Sequence, residues 1–124
     1  MCGAAGAAAA QASRPAPDYF VTGAFETSTA QILALSCPSL SVDLGAMARR
    51  SGEVLDRLTA DGFTPRTLES DMSDPAPAIA ALQDAFRTRR GLPDGASEAE
   101  VCAAGAAEIA EGTGIGALLL ELEP

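Results

Sequence analysis

Residues 97–112 read SEAEVCAAGAAEIAEG, and this stretch settles the class of fold. Ser97 followed three positions later by Glu100 is a capping box, in which the Ser side chain caps the helix while the Glu side chain reaches back to the cap. The box predicts a helix over residues 98–111, and Gly112 stops it. Cys102 falls in the first turns of that helix.

Similar signals punctuate the rest of the chain. Leu40, Leu44, Met47, Ser51, Leu55 and Leu58 recur at intervals of three and four, which predicts a helix over residues 40–61. Gly62 then supplies a left-handed stop, with Phe63 placed to pack back on the last turn. The interior Gly45 and Gly52 each cost about 1 kcal/mol against Ala, so they are expected to mark the close approach of a neighbouring helix. Thr64-Pro65 opens a short helix over 65–72, and Ser73-Asp74-Pro75 opens another over 75–90 with Ile79, Leu82 and Phe86 on one face. Gly91 closes it before a Pro/Gly loop at 92–96. Earlier, residues 24–36 place Phe25, Ile32 and Leu35 near one stripe, and Pro38 ends that helix just after Cys37. A last short helix is expected over 114–122. No period-two alternation of useful length occurs. The predicted class is all-α, a small bundle of about five or six helices in a single domain over residues 20–124.

The chain has 124 residues, of which 48% are hydrophobic, but much of that is Ala, with no Trp, one Tyr and four Phe. Alanine buries little area, so the core is expected to rest on Ile32, Leu33, Leu35, Leu44, Met47, Leu55, Leu58, Phe63, Leu82, Phe86, Ile109, Ile115 and residues 118–120. Such a core is thin, and a covalent staple helps a domain of this size. A formal charge of −9 disfavours nucleic acid and anionic lipid as partners. All eight basic residues are Arg, a coding bias of GC-rich genomes.

The first twelve residues, MCGAAGAAAAQA, are small and uncharged. Ala10-Gln11-Ala12 matches the small-x-small pattern that precedes signal-peptide cleavage, and Cys2 followed by Gly3 reads alternatively as a lipidated lipoprotein cysteine. A plain Ala-rich leader is the third reading. Residues 13–19, with Pro15 and Pro17, form a flexible linker. The longest strongly apolar run, at 115–120, falls far short of the ~20 residues of a membrane span.

Cys37 and Cys102 lie about 65 positions apart, one at a helix end and the other near a helix start. Antiparallel packing brings such positions together, and a bridge there restricts the unfolded chain by roughly 4 kcal/mol. Two buried free thiols are the alternative, and the exported reading favours the bridge. No CxxC spacing or adjacent cation marks a redox-active pair. The acidic stretch at 69–74 lacks the spacing and central Gly of a calcium loop and reads as a solvated turn with helix caps. Arg87, Arg89 and Arg90 complement the dipole at a helix C-terminus, or else dock an acidic partner. The GTGIG run at 112–116 follows no strand and has no Lys, so it reads as a turn between helices rather than a phosphate loop. With neither His nor Lys in the chain, the Ser–His, Cys–His and Schiff-base arrangements are excluded. No catalytic residue, cofactor site or metal site is predicted, and the chain is not expected to be an enzyme.

Across residues 25–119 the chain resembles an uncharacterised family of small, exported, two-cysteine helical proteins of alphaproteobacteria. The resemblance rests on Cys37-Pro38-Ser39, Gly62-Phe63, Ser73-Asp74, Cys102, and the closing Glu108-Ile109-x-x-Gly112-x-x-Ile115-Gly116-x-Leu118-Leu119. It implies a helical periplasmic domain with Cys37 and Cys102 paired, and no known activity, cofactor or catalytic residue. Where relatives tend to carry Arg, this chain has Ala at 103, 104, 106 and 107, and leucines and acidic residues at 120–123. The functional expectation is a non-catalytic periplasmic interaction or scaffold protein that binds another envelope protein. Two alternatives stand beside it: a small-ligand carrier with its site near Met47, Phe63 and Phe86, and an inhibitor of an exported enzyme acting through an acidic face.

Overall fold

A computed structural model describes residues 14–122. The elements are α1 (Asp18–Ser36), β1 (Leu40–Val42), α2 (Leu44–Ala60), α3 (Leu68–Asp71), α4 (Ala76–Arg90), α5 (Glu98–Glu111), a 3-10 turn (Gly116–Leu118) and β2 (Leu119–Glu121). Five helices therefore carry the described residues, joined by one two-stranded ribbon. None of these helices is long and apolar enough to cross a membrane. The leader, including Cys2 with its expected lipidation, lies outside the described residues.

Helix α1 is the axis of the domain and packs against α2, β1, α4 and α5. It begins at Asp18 rather than at residue 24, because Pro17 is extended and its carbonyl accepts from the amides of Phe20 and Val21 at 3.0 Å. The Thr27-Ser28-Thr29 run does not break it. Thr27 donates to the Gly23 carbonyl at 2.9 Å and Ser28 to that of Phe25 at 3.2 Å, so these two hydroxyls are satisfied along the helix. Being covered on several sides, α1 buries Val21, Phe25, Ala30 and Leu33 instead of one narrow stripe.

Two expected helical segments form strands. Residues 40–42 do not start the second helix; they pair antiparallel with β2, Leu40 opposite Glu121 and Val42 opposite Leu119. The helix starts after Asp43, whose carboxylate accepts from the Ala46 amide at 3.0 Å. Likewise the expected helix over 114–122 gives way to the 3-10 turn and β2. Pairing these segments buries Leu40 and Leu119 and leaves Ser41 and Leu120 on the other side of the ribbon.

The capping box is present as read: Ser97 Oγ accepts from the Glu100 amide at 3.1 Å, and Glu100 accepts from the Ser97 amide at 2.8 Å. Gly62 adopts φ 92° at the end of α2, and the Phe63 amide donates to the Leu58 carbonyl at 2.9 Å. Asp74, just ahead of the cap position Pro75, accepts from the Ala76 amide at 3.0 Å where α4 begins. Thr64 caps only a turn, so the short helix spans Leu68–Asp71 rather than 65–72.

The core is divided. The main cluster gathers Phe25, Leu33, Cys37, Leu40, Phe86 and Leu118 with smaller neighbours, and Phe25 meets Phe86 edge to face at 6.3 Å between ring centroids. A second cluster holds Leu58, Phe63 and Met72, with Tyr19, Phe20 and Val54 packed on it. Arg14 fastens the chain's entry to this second cluster. Its amide donates to the Asp71 carbonyl, its carbonyl accepts from Ser73, and its guanidinium lies 3.8 Å over the Phe63 ring.

Several residues expected in the core are exposed: Ile32, Leu35, Leu44, Leu55 and Leu120. They sit at helical spacing but on sides of α1 and α2 that no other element covers, or on the outer face of the ribbon. The expected close approaches at Gly45 and Gly52 are also displaced. Nothing lies near Gly52, while a Cβ would press on Val54 at 3.0 Å from Gly23 and would overlap Leu40 from Gly105.

Candidate functional site

The expected bridge between Cys37 and Cys102 is present, with Cα atoms 5.3 Å apart. Cys37 caps the C-terminus of α1 and is wholly buried, while Cys102 in the first turns of α5 is half-buried. The bond ties the axial helix to α5 at the point where the chain turns into β1. Buried and bonded, neither sulfur is a nucleophile.

Glu108 is the feature that reading the sequence missed. It lies in α5 among Ala and Ile and is 0% exposed. A carboxylate in such a place needs compensation. Arg90 donates from Nε to Glu108 Oε2 at 2.5 Å, Arg89 from Nη2 to the same oxygen at 3.2 Å, and Thr113 from Oγ1 to Glu108 Oε1 at 2.6 Å. Arg90 is itself only 12% exposed and donates from Nη1 to Glu111 Oε2 at 2.8 Å. The Glu111 hydrogen bond, reinforced by the Glu108 hydrogen bond and charge, raises the Arg90 pKa against the opposing effect of burial. The reciprocal bond from Arg90 lowers that of Glu111.

Arg89 and Arg90 of the arginine cluster therefore do dock an acidic partner, and that partner is α5 of the same chain, whereas Arg87 pairs with Asp84 and Asp94. The GTGIG run takes part in the same construction. Thr113 Oγ1 accepts from the Gly116 amide at 3.0 Å, and a Cβ at Gly116 would run into the Glu108 backbone. Gly114 lies against Glu26, which is ion-paired to Arg50 of α2. The run is a turn, as read, but it leads into the 3-10 element and not into a helix. The signal for Glu108 was an acid flanked by apolar residues at i−1, i+1 and i+2, with paired Arg at the end of the preceding helix.

Among several hollows on the described residues, a mostly apolar one of about 240 Å³ lies between α1, α4 and the loop leading to α5. Ile32, Leu33, Phe86, Leu92 and Val101 line it, with Arg87 at its edge. Of the three residues expected to mark a carrier site, only Phe86 lies here. Met47 packs on the main cluster and Phe63 belongs to the second, so the three do not converge. Among the described residues no group of His, Cys, Asp and Glu is arranged to hold a metal ion.

These features define a small helical domain held by one disulfide and one buried ion-pair network that joins its last two long helices. The chain belongs to the family described as Family of unknown function (DUF5333), whose model matches residues 15–120. No curated protein and no solved structure matches it. The closing residues of this chain act together: Glu108 receives Arg89 and Arg90, Gly116 admits the Glu108 backbone, and Leu118 and Leu119 fill the main core.

Proposed function

We propose that this chain is an exported, non-catalytic domain of the alphaproteobacterial periplasm that acts by docking another envelope protein. The observation that carries this reading is the exposure of large apolar side chains, 87% at Leu35 and 75% at Leu44, in a protein whose core is short of such groups. The disulfide favours an oxidising compartment. Arg89 and Arg90 at the end of α4 are committed to intramolecular pairs, so this basic pair does not supply the docking contact.

A photo-crosslinking residue placed at position 35 or 44 in the native host tests the reading. The same discrete adduct is expected from the envelope fraction at both positions, and none from exposed position 69. Intact mass of the native protein, with and without reductant and alkylation, reports leader cleavage, lipidation at Cys2 and bridge formation together. Recovery of the chain in the cytosol with free thiols, or no adduct at either position, overturns the proposal.

A further inference from the structure

The cavity beside α4 combines three properties that an unfilled packing defect does not need together. Its walls are mostly apolar, formed by Ile32, Leu33, Phe86, Leu92 and Val101 with Thr29 and Gln83 among them, and Ile32 stands half out of the surface at its margin. A single cation, Arg87, lies at its edge and is 50% exposed. Residues 92–94, two of which line the cavity, run between Gly91 and Gly95, both left-handed at φ 65° and 69°. Only glycine adopts that conformation readily, so both ends of this short flap are points where the backbone turns at low cost.

The flap is tied to α4 at its start by the Leu92 amide, which donates to the Arg87 carbonyl at 2.8 Å, and further along by one ion pair. Arg87 Nη1 lies 3.5 Å from Asp94 Oδ1, and Asp94 is almost wholly exposed. The second partner of Arg87 is Asp84, one turn earlier on α4. The Asp94 contact is long and solvated, so a second carboxylate displaces it easily. Arg89 and Arg90 are turned toward Glu108 and do not compete.

We propose that this cavity binds an aliphatic monocarboxylate of medium chain length, its tail among the apolar walls and its carboxylate on Arg87 in place of Asp94. An apolar cavity of about 150 Å³ takes up benzene, so a cavity of this size suits a chain of roughly eight to ten carbons. The inference goes beyond the docking role and rests on cavity-lining residues that do not include Leu35 or Leu44, so either stands if the other fails.

Octanoate and octanol, titrated into the full disulfide-bonded chain and followed by amide chemical shifts, form the test. Octanoate is expected to saturate one site, with shifts concentrated at Leu33, Phe86, Leu92 and Val101. Octanol, which lacks the charge, binds about tenfold more weakly. Hexanoate is weaker than octanoate by about fourfold for each methylene removed, the equivalent of about 0.8 kcal/mol. Arg87→Gln brings octanoate to the level of octanol. Asp94→Asn, which removes the internal competitor and leaves Arg87 intact, tightens octanoate binding. Equal affinity for the acid and the alcohol, shifts away from the cavity, or no saturable binding in the millimolar range overturns the assignment, as does weaker binding in the folded Asp94→Asn variant.

Discussion

Replacing Glu108 tests the physical account of this fold most directly. The carboxylate is fully buried and receives three side-chain hydrogen bonds, from Arg89, Arg90 and Thr113. Glu108→Ala leaves Arg90 buried without its principal inward partner, and breaking a buried pair from one side costs about 3–5 kcal/mol. Two factors place this case toward the middle of that range. Arg90 keeps Glu111, which lowers the cost, whereas loss of one buried methylene and of the Thr113 bond raises it by about 2 kcal/mol. A loss of about 4 kcal/mol is expected, against a total of about 5–15 kcal/mol for a whole domain. Glu108→Gln preserves the volume and the Thr113 bond, but it removes the charge and sets an amide NH2 against the Arg89 and Arg90 donors, so it is expected to cost about as much. Urea unfolding of the disulfide-bonded protein measures both, the midpoint falling at unchanged slope. If Glu108→Ala costs less than about 1 kcal/mol, the network does not hold α4 to α5. If Glu108→Gln proves as stable as the parent, the burial of charge has been misread.

Removing the staple with Cys37→Ala and Cys102→Ala together is expected to lower stability by about 4 kcal/mol while leaving the helical circular dichroism of the folded state intact below the transition. A double variant as stable as the parent refutes the view that the thin core needs the bond. Tyr19 is the only tyrosine, so its ionisation is read without ambiguity from ultraviolet absorbance. Burial, together with the hydrogen bond to Asp61 at 2.5 Å, raises its pKa above 10.0. A raised folded value means that this contribution to stability is complete below pH 10.0 and is lost as pH climbs through the folded value. Glu111 has the opposite sign. Its pKa is lowered, so its contribution is present above its ordinary 4.5 and disappears as pH falls through the depressed value. A tyrosine titrating at or below 10.0 refutes the packing described around Asp61.

Local chemistry was readable wherever one short segment carries both partners of an interaction. The Ser97 and Glu100 side chains each bond the other's backbone, and Gly62 with Phe63 closes α2 within one turn. The bridge partners were readable for a different reason: helix signals placed Cys37 at one end and Cys102 at a start, and antiparallel packing does the rest. Leu40, at helical spacing from Leu44, was misplaced because its extended state depends on Leu119 and Glu121, some eighty residues away. Glu108 was overlooked because its burial depends on Arg89 and Arg90 arriving from α4.

The amino-acid sequence by itself determined the helical class, the ends of α4 and α5, the placement of Cys37 and Cys102 at helix ends and the lack of His- and Lys-based chemistry. Those properties follow from backbone donors satisfied within a turn or from residue types that are present or missing. Only the tertiary structure decided which leucines are inside, that residues 40–42 and 119–121 form a ribbon, that the two cysteines meet, that Arg89 and Arg90 are neutralised by a buried acid, and where hollows remain. Each of these depends on which surfaces meet across the chain, and side-chain period alone does not say which face of a helix will find a neighbour.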